Sequence, residues 1–381
     1  MKQKKTKLYK ALCAAAVIAS VSSSAHAQSS VTLYGLIAEG IGWVNNEGGS
    51  HNFMMMSGTN LNNRFGVNIV EDLGGGDRAV AVLENGFDIT SGKLEQGSRM
   101  FGRQAYVGLG SDTAGTLTLG RQYDMFWDYL TPLMSAVVAN GLADHPGDAD
   151  NLMGSWRYSN SVKYVSPTWN GLNAEAFYAF SNQAGDFAMN RAFGAGAGYH
   201  GGPLKLALAF TELDEPGTLN LNGAVSNDYS GVPFYFFRTS PVDANAGVSR
   251  QRNLGVGGQY DFGHGLRWNA IVDVVHFEYQ DGTSFTQTNY DTSFSYFLTH
   301  ALSFSAAYVY SAGKYGGVNA NPHWNTASVS VDYQLSKRTD VYLTDSLQTA
   351  SGPYAVAAIY AVSPSTSSNQ NLVVAGMRTR F

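Results

Sequence analysis

Leu302-Ser303-Phe304-Ser305-Ala306-Ala307-Tyr308-Val309-Tyr310 carries the pattern that decides the fold. Leu302, Phe304, Ala306, Tyr308 and Tyr310 fall on one side of an extended chain, and Ser303, Ser305 and Ala307 on the other, because successive side chains of a strand point to opposite faces. The same period recurs elsewhere. Leu204, Leu206, Leu208 and Phe210 oppose Lys205, Ala207 and Ala209, while Leu266, Trp268, Ala270, Val272 and Val274 oppose Arg267, Asn269, Ile271 and Asp273. Ala327, Val329, Val331, Tyr333 and Leu335 oppose Ser328, Ser330, Asp332 and Gln334. One face is apolar and the other small or charged, the signature of strands lying between two different environments.

Composition narrows what those environments are. Of 381 residues, 14% are charged and 13% aromatic, with 43 glycines, which excludes a disordered chain, a coiled coil and a bundle of membrane helices. Beyond the N-terminal segment, no stretch has the roughly 18 to 20 consecutive apolar residues of a membrane helix. A chain that spans a membrane without helices must close its sheet, since unpaired amides are not tolerated in hydrocarbon. A β-sandwich would also alternate, with a larger buried face and more even loops. Tyr164, Tyr199, Phe210, Tyr260, Tyr308, Tyr310, Tyr333 and Phe381 instead lie near strand ends, where an aromatic girdle meets the membrane interface.

Breaks in the pattern set the strand count. Short turns rich in Gly, Pro, Asn and Asp are expected at 72–77, 111–115, 166–171, 200–203, 263–265, 299–301 and 336–340, residues that accept or impose turn geometry. Seven such turns join seven strand pairs, and an opening strand from Val31 with a closing strand to Phe381 makes sixteen. The prediction is an all-β chain, a 16-stranded antiparallel transmembrane β-barrel with short periplasmic turns and long external loops, the longest at 122–154 and 211–252.

The N-terminus reads as an export signal. Lys2, Lys4, Lys5, Lys7 and Lys10 precede an apolar run at 11–21, and Ala25-His26-Ala27 forms an A-x-A cleavage site. Residues 1–27 are thus expected to be a signal peptide, and 28–381 a single barrel domain. Five of the 24 Lys+Arg and none of the 29 Asp+Glu lie in that segment, leaving 19 against 29 and a net charge of −10. That balance argues against a nucleic-acid partner. Cys13, the one cysteine, leaves with the segment, so disulfides and thiolate metal sites are not expected.

Several motifs carry a family resemblance. Gln28-Ser29-Ser30-Val31-Thr32-Leu33-Tyr34-Gly35, Asn63-Arg64-Phe65-Gly66, Glu71-Asp72-Leu73-Gly74-Gly75-Gly76, Phe101-Gly102-Arg103-Gln104-Ala105-Tyr106-Val107-Gly108-Leu109, Leu119-Gly120-Arg121-Gln122-Tyr123, Asn160-Ser161-Val162-Lys163-Tyr164-Val165-Ser166-Pro167 and Leu335-Ser336-Lys337-Arg338-Thr339 together resemble the trimeric general porins of β-proteobacterial outer membranes. Met377-Arg378-Thr379-Arg380-Phe381 is similar to the family's C-terminal assembly signal. The resemblance implies a homotrimer in outer-membrane lipid, assembled by the barrel-assembly machinery through Phe381, and passing ions and small hydrophilic solutes. Gly35, Ala195 and Ala197 would be small outward residues for close subunit packing. It also implies an inward-folded third loop, here 122–154, whose acids Asp124, Asp128, Asp144, Asp148 and Asp150 face a basic cluster. One departure is the apolar character of this loop, with Met125-Phe126-Trp127 and Ala136-Val137-Val138-Ala139.

Strand parity supplies the basic side. Arg64 opposes Phe65 and Val67; Arg99 and Arg103 oppose Met100 and Tyr106; Arg157, Ser159, Ser161 and Lys163 oppose Tyr158, Val162 and Tyr164. Arg78 is expected at the periplasmic end. Arg121 shares parity with Leu117 and Leu119, which would aim it at lipid at a cost of about 2 to 4 kcal/mol; a bulge at Gly120 is expected to turn it inward. The constriction is therefore assigned to Arg64, Arg103, Arg157, Arg121, Arg99, Lys163, Asp124 and Asp128, with a weak preference for anions.

Two other functional classes leave little trace. A barrel enzyme of the lipase or protease type would need a catalytic cluster, and G-x-S-x-G is missing. His51, His145, His200, His264, His276, His300 and His323 stand singly, so neither metal nor cofactor is expected. Gly194-Ala195-Gly196-Ala197-Gly198 lacks the Lys-Ser/Thr of a phosphate loop and reads as close backbone packing. A secreted β-sandwich binding protein would bury the apolar faces.

Overall fold

The computed structural model describes residues 29–59, 61–138, 142–216, 220, 222–229 and 235–381. The expected signal peptide at 1–27, Cys13 included, lies outside the described residues. Among these residues one sheet contains β1 (Ser30–Glu47), β2 (Ser50–Ser57), β3 (Arg64–Gly74), β4 (Asp77–Gly86), β5 (Gln104–Ser111), β6 (Gly115–Gln122), β7 (Tyr158–Val165) and β8 (Leu172–Ala179). It continues through β9 (Arg191–Gly201), β10 (Leu204–Asp214), β11 (Val248–Gly263), β12 (Leu266–Tyr279), β13 (Ser284–Phe297), β14 (Leu302–Gly316), β15 (His323–Gln334), β16 (Thr339–Ser351) and β17 (Asn369–Arg380). Each strand pairs antiparallel with its neighbour, and β17 returns to pair with β1. The ring is closed.

Seventeen strands occupy sixteen positions because β1 is long enough to pair with two segments on one side. Its first half pairs with β3 and its second half with β2. Gly58, at a φ of 68°, turns the chain out of the sheet, and Asn63 returns it. The Asn63 side chain accepts the Ala38 amide and donates to Ser57 Oγ at 2.8 Å, so backbone groups at the interruption keep their partners.

The seven expected short turns all fall between paired strands. The opposite end is less uniform: Gly48 and Gly49 make a tight hairpin between β1 and β2, and only residues 280–283 separate β12 from β13. The alternation separates outside from inside. Leu208, Val329 and Tyr333 are 46%, 56% and 47% exposed, whereas Ser328 on the other face is 2% exposed. A sandwich would bury the leucines and valines; here they cover the outer wall, and no helix of the described residues is long and apolar enough to cross a membrane.

The described residues of loop 123–157 occupy the interior. Short helical turns at Phe126–Leu130, Thr131–Leu133 and Ser135–Val138 carry Met125, Phe126, Leu130, Leu133 and Met134 into a buried cluster with Ala192, Ala209 and Ile271 of the wall. Glycine makes this approach possible: an added Cβ would lie 2.8 Å from Met125 at Gly196, 2.7 Å from Tyr129 at Gly198 and 2.6 Å from Leu130 at Gly255. The loop is apolar because it docks on a strip of small residues. The glycine run 194–198 supplies part of that strip.

Candidate functional site

Where the loop leaves β6, Tyr123 and Trp127 stack with ring centres 4.2 Å apart. The Arg157 guanidinium lies 4.7 Å from the Tyr123 ring centre and Arg103 lies 5.7 Å from it. Arg103 Nε donates to Glu84 Oε1 at 2.7 Å, and Tyr34 donates to the second Glu84 oxygen at 2.9 Å. Arg157 donates to the Tyr123 hydroxyl and, at 3.3 Å, to Ser155 O. Arg64 begins β3 beside this group and donates to Asn62 O at 3.2 Å. Arg103 and Arg157 are each 1% exposed, so aromatic faces and carbonyls take the place of water around them. Neither Arg64 nor Arg157 forms an ion pair among the described residues.

Arg121 sits beside this cluster. Gly120 has a φ of 143°, the β6–β7 register shifts between Gly120 and Gln122, and the Arg121 side chain is buried. It donates to Gly102 O at 2.8 Å, Arg157 O at 3.2 Å and Ser159 Oγ at 2.9 Å, and pairs with Asp228. The same irregularity overturns strict parity in β7. Asn160 adopts a φ of 55°, so Tyr158 turns inward into the buried cluster with Phe177 instead of sharing the outer face of Tyr164.

Other assignments shift as well. Arg99 is not on the wall: β5 starts at Gln104, and Arg99 belongs to the external loop 87–103, bonded to Gln96 O at 2.5 Å. Lys163 points inward and pairs with Asp128, with Glu175 3.9 Å away. Asp124 accepts Trp127 N at 3.2 Å and Thr211 Oγ1 at 3.4 Å, and burial pushes its carboxyl up to about 6. The resemblance implied that the loop's acids oppose the arginines. Instead Asp144, Asp148 and Asp150 are buried where the loop meets the far wall, and the counter-charges beside the arginines are Glu84 and Asp228.

Two cavities flank the loop. One of about 500 Å³ reaches Arg157 from the external side, past Asn62, Glu95, Asn227 and Asp228. The other, about 380 Å³, lies among Asp128, Asn173, His200 and Lys205, towards the short turns. A ring of sixteen strand positions with an inward loop and charged interior matches the Gram-negative porin family, whose model covers residues 14–352. The chain belongs to that family.

Among similar proteins, an outer membrane porin protein of Bordetella pertussis is 33% identical over 278 residues, 66% of each chain. Outer membrane porin protein 32 of Delftia acidovorans is 31% identical over 53% of this chain and 59% of its own. The chain thus spans just under two thirds of these relatives. The anion-selective porin from Comamonas acidovorans superposes with a TM-score of 0.73 at 21% identity, covering 93% of this chain and all of that one. OmpT of Vibrio cholerae in its trimer form superposes with a TM-score of 0.66 at 13% identity, covering 93% and 99%. Those two share the fold. Family and relatives place this porin in the outer membrane.

The porin also holds charges that parity did not single out. Glu84 lies on the inward side of β4, where alternation with Leu83 would have found it. Arg238 comes from loop 215–247 and stacks on Tyr229 and Trp156 at 4.1 and 4.7 Å; no periodicity signals it. Gly35 is closed to subunit packing, since the Phe381 ring would lie 2.3 Å from a Cβ there.

Proposed function

We propose that this porin is a general-diffusion channel for ions and small hydrophilic solutes, weakly favouring anions. The observation that carries the reading is the cluster Arg64, Arg103 and Arg157 at the root of an inward loop, with Arg157 facing the external cavity. An ion that sheds bulk water is stabilised by charges within reach, and screening over about 8 Å lets local charge outweigh the net −10 of the mature chain. Glu84 offsets Arg103 and Asp228 offsets Arg121, while Arg64 and Arg157 have no ion-pair partner among the described residues. Arg121 and Lys163 extend the basic side, and Asp124 and Asp128 line the loop beneath it. Likeness to a porin described as anion-selective supports the sign.

The working form is a homotrimer in outer-membrane lipid, with Phe381 as the residue read by the assembly machinery. A trimer form among the structural neighbours supports this. Channel activity, not catalysis, is the family's business.

Reversal potentials across planar bilayers under a salt gradient test the reading. Wild type should show stepwise conductance with a modest anion preference, and Arg157→Ala or Arg64→Ala should move the ratio towards cations by about two-fold or more. Purified trimers that never conduct would falsify it; unchanged reversal potentials in both variants would remove the arginines from the selectivity role.

A further inference from the structure

His145, Asp150 and Asp273 meet where the inward loop touches β12, all of them buried, with their ligand-capable atoms within 4.8 Å of one another. On its far side, His145 Nε2 lies 3.2 Å from Asp291 Oδ2. A proton on Nε2, given to Asp291, leaves the Nδ1 lone pair directed at the other two carboxylates. Asp150 Oδ2 contacts Nδ1 and Asp273 Oδ2 is 3.3 Å from it. Asn289 Nδ2 orients both acids, donating at 2.9 Å to Asp273 Oδ1 and at 3.3 Å to Asp150 Oδ2. Leu152 N donates to Asp150 Oδ1 at 3.1 Å. Asp273 Oδ2, however, is buried and receives no hydrogen bond from the described residues, a condition that carries a full desolvation penalty.

Three ligand-capable atoms therefore converge, and one of them, Asp273 Oδ2, is buried without a hydrogen bond from the described residues. We propose that His145 Nδ1, Asp150 Oδ2 and Asp273 Oδ2 bind a divalent transition-metal ion of the zinc type, tying the loop to the wall. One imidazole with two carboxylates suits such an ion better than calcium or magnesium, which prefer oxygen alone. Two ionised carboxylates balance its charge. Asp291 behind the imidazole is the outer partner that metal-bound histidines usually have. The rival occupant is a proton shared among His145 Nδ1, Asp150 Oδ2 and Asp273 Oδ2, the last 3.3 Å from Nδ1, which would leave the porin without metal retention.

The test uses the purified, detergent-solubilised porin, stripped with chelator and titrated with Zn²⁺, or with Co²⁺ for its visible absorption. About one ion per chain should survive desalting, Co²⁺ should give bands of a low-coordinate site, and Zn²⁺ should raise the unfolding temperature. Asp273→Asn, close to isosteric, should lose affinity by about 100-fold and respond to Zn²⁺ no further; Asp291→Asn should lose about 10-fold. His145→Gln should behave like Asp273→Asn, and if it fails to fold, Asp273→Asn decides alone. Retention that is negligible, equal in wild type and Asp273→Asn, or confined to Ca²⁺ overturns the proposal.

Discussion

Asp124 shows how a single side chain couples the interior to pH. Its carboxylate is buried at the base of the loop, which raises its pKa from 3.8 to about 6. The folded protein therefore holds that proton more tightly than the unfolded chain between those two values. Stability from this residue is present below about pH 4 and is lost as pH rises through about 6, a change on the order of 3 kcal/mol at most. Asp124→Asn should remove this component. Unfolding temperatures in detergent from pH 4 to 8 should then fall less steeply for the variant, and parallel curves would exclude the residue. Residue-level reading from sequence worked where alternation is strict and failed where backbone conformation breaks it: Arg64 and Lys163 follow parity, Tyr158 does not, because Asn160 has a positive φ. Arg121 was legible through its conflict with Leu117 and Leu119, since a guanidinium facing lipid demanded an irregular backbone.

The inward loop is the element that shapes the lumen, and its docking rests on shape. Leu130 and Leu133 lie against Gly255 and Gly257 of β11, where an added Cβ would come within 2.6 Å and 3.0 Å of Leu130. Gly255→Val should overfill the contact, cost about 1 to 3 kcal/mol and lift the loop from the wall. Single-channel conductance should rise with a lower unfolding temperature; unchanged conductance would mean that the loop does not limit flow. The apolar residues of the loop were evident in the sequence, and so was the glycine run. Their contact was not, because it joins segments about 70 residues apart by complementarity of volume. Local periodicity has no access to such pairs.

At the scale of the whole molecule, closure makes the outer face uniform. Gly35 N donates to Phe381 O at 3.0 Å and Phe381 N to Gly35 O at 3.1 Å, so the last residue completes the seam between β1 and β17. The outer wall, mid-strand at Val329, faces hydrocarbon. Val329→Arg should lower folding stability in bilayers by about 2 to 4 kcal/mol, measured by denaturant unfolding in vesicles. Ser328→Ala on the inner face should change it by under 1 kcal/mol. Equal, small effects would place Val329 in water.

Alternation together with the turn residues settled the class of fold, the two faces of most strands, the seven short turns and the sixteen positions, because side-chain direction along a strand and turn preference are local properties. Tertiary structure decided the rest: that β2 and β3 share one position, that Asp144, Asp148 and Asp150 turn to the far wall while Glu84 and Asp228 answer the arginines, and that His145 meets Asp273. Those arrangements depend on where a long loop comes to rest. Its resting place follows from glycine gaps, buried charge and hydrogen bonds across the lumen, none of which is encoded in the spacing of neighbouring residues.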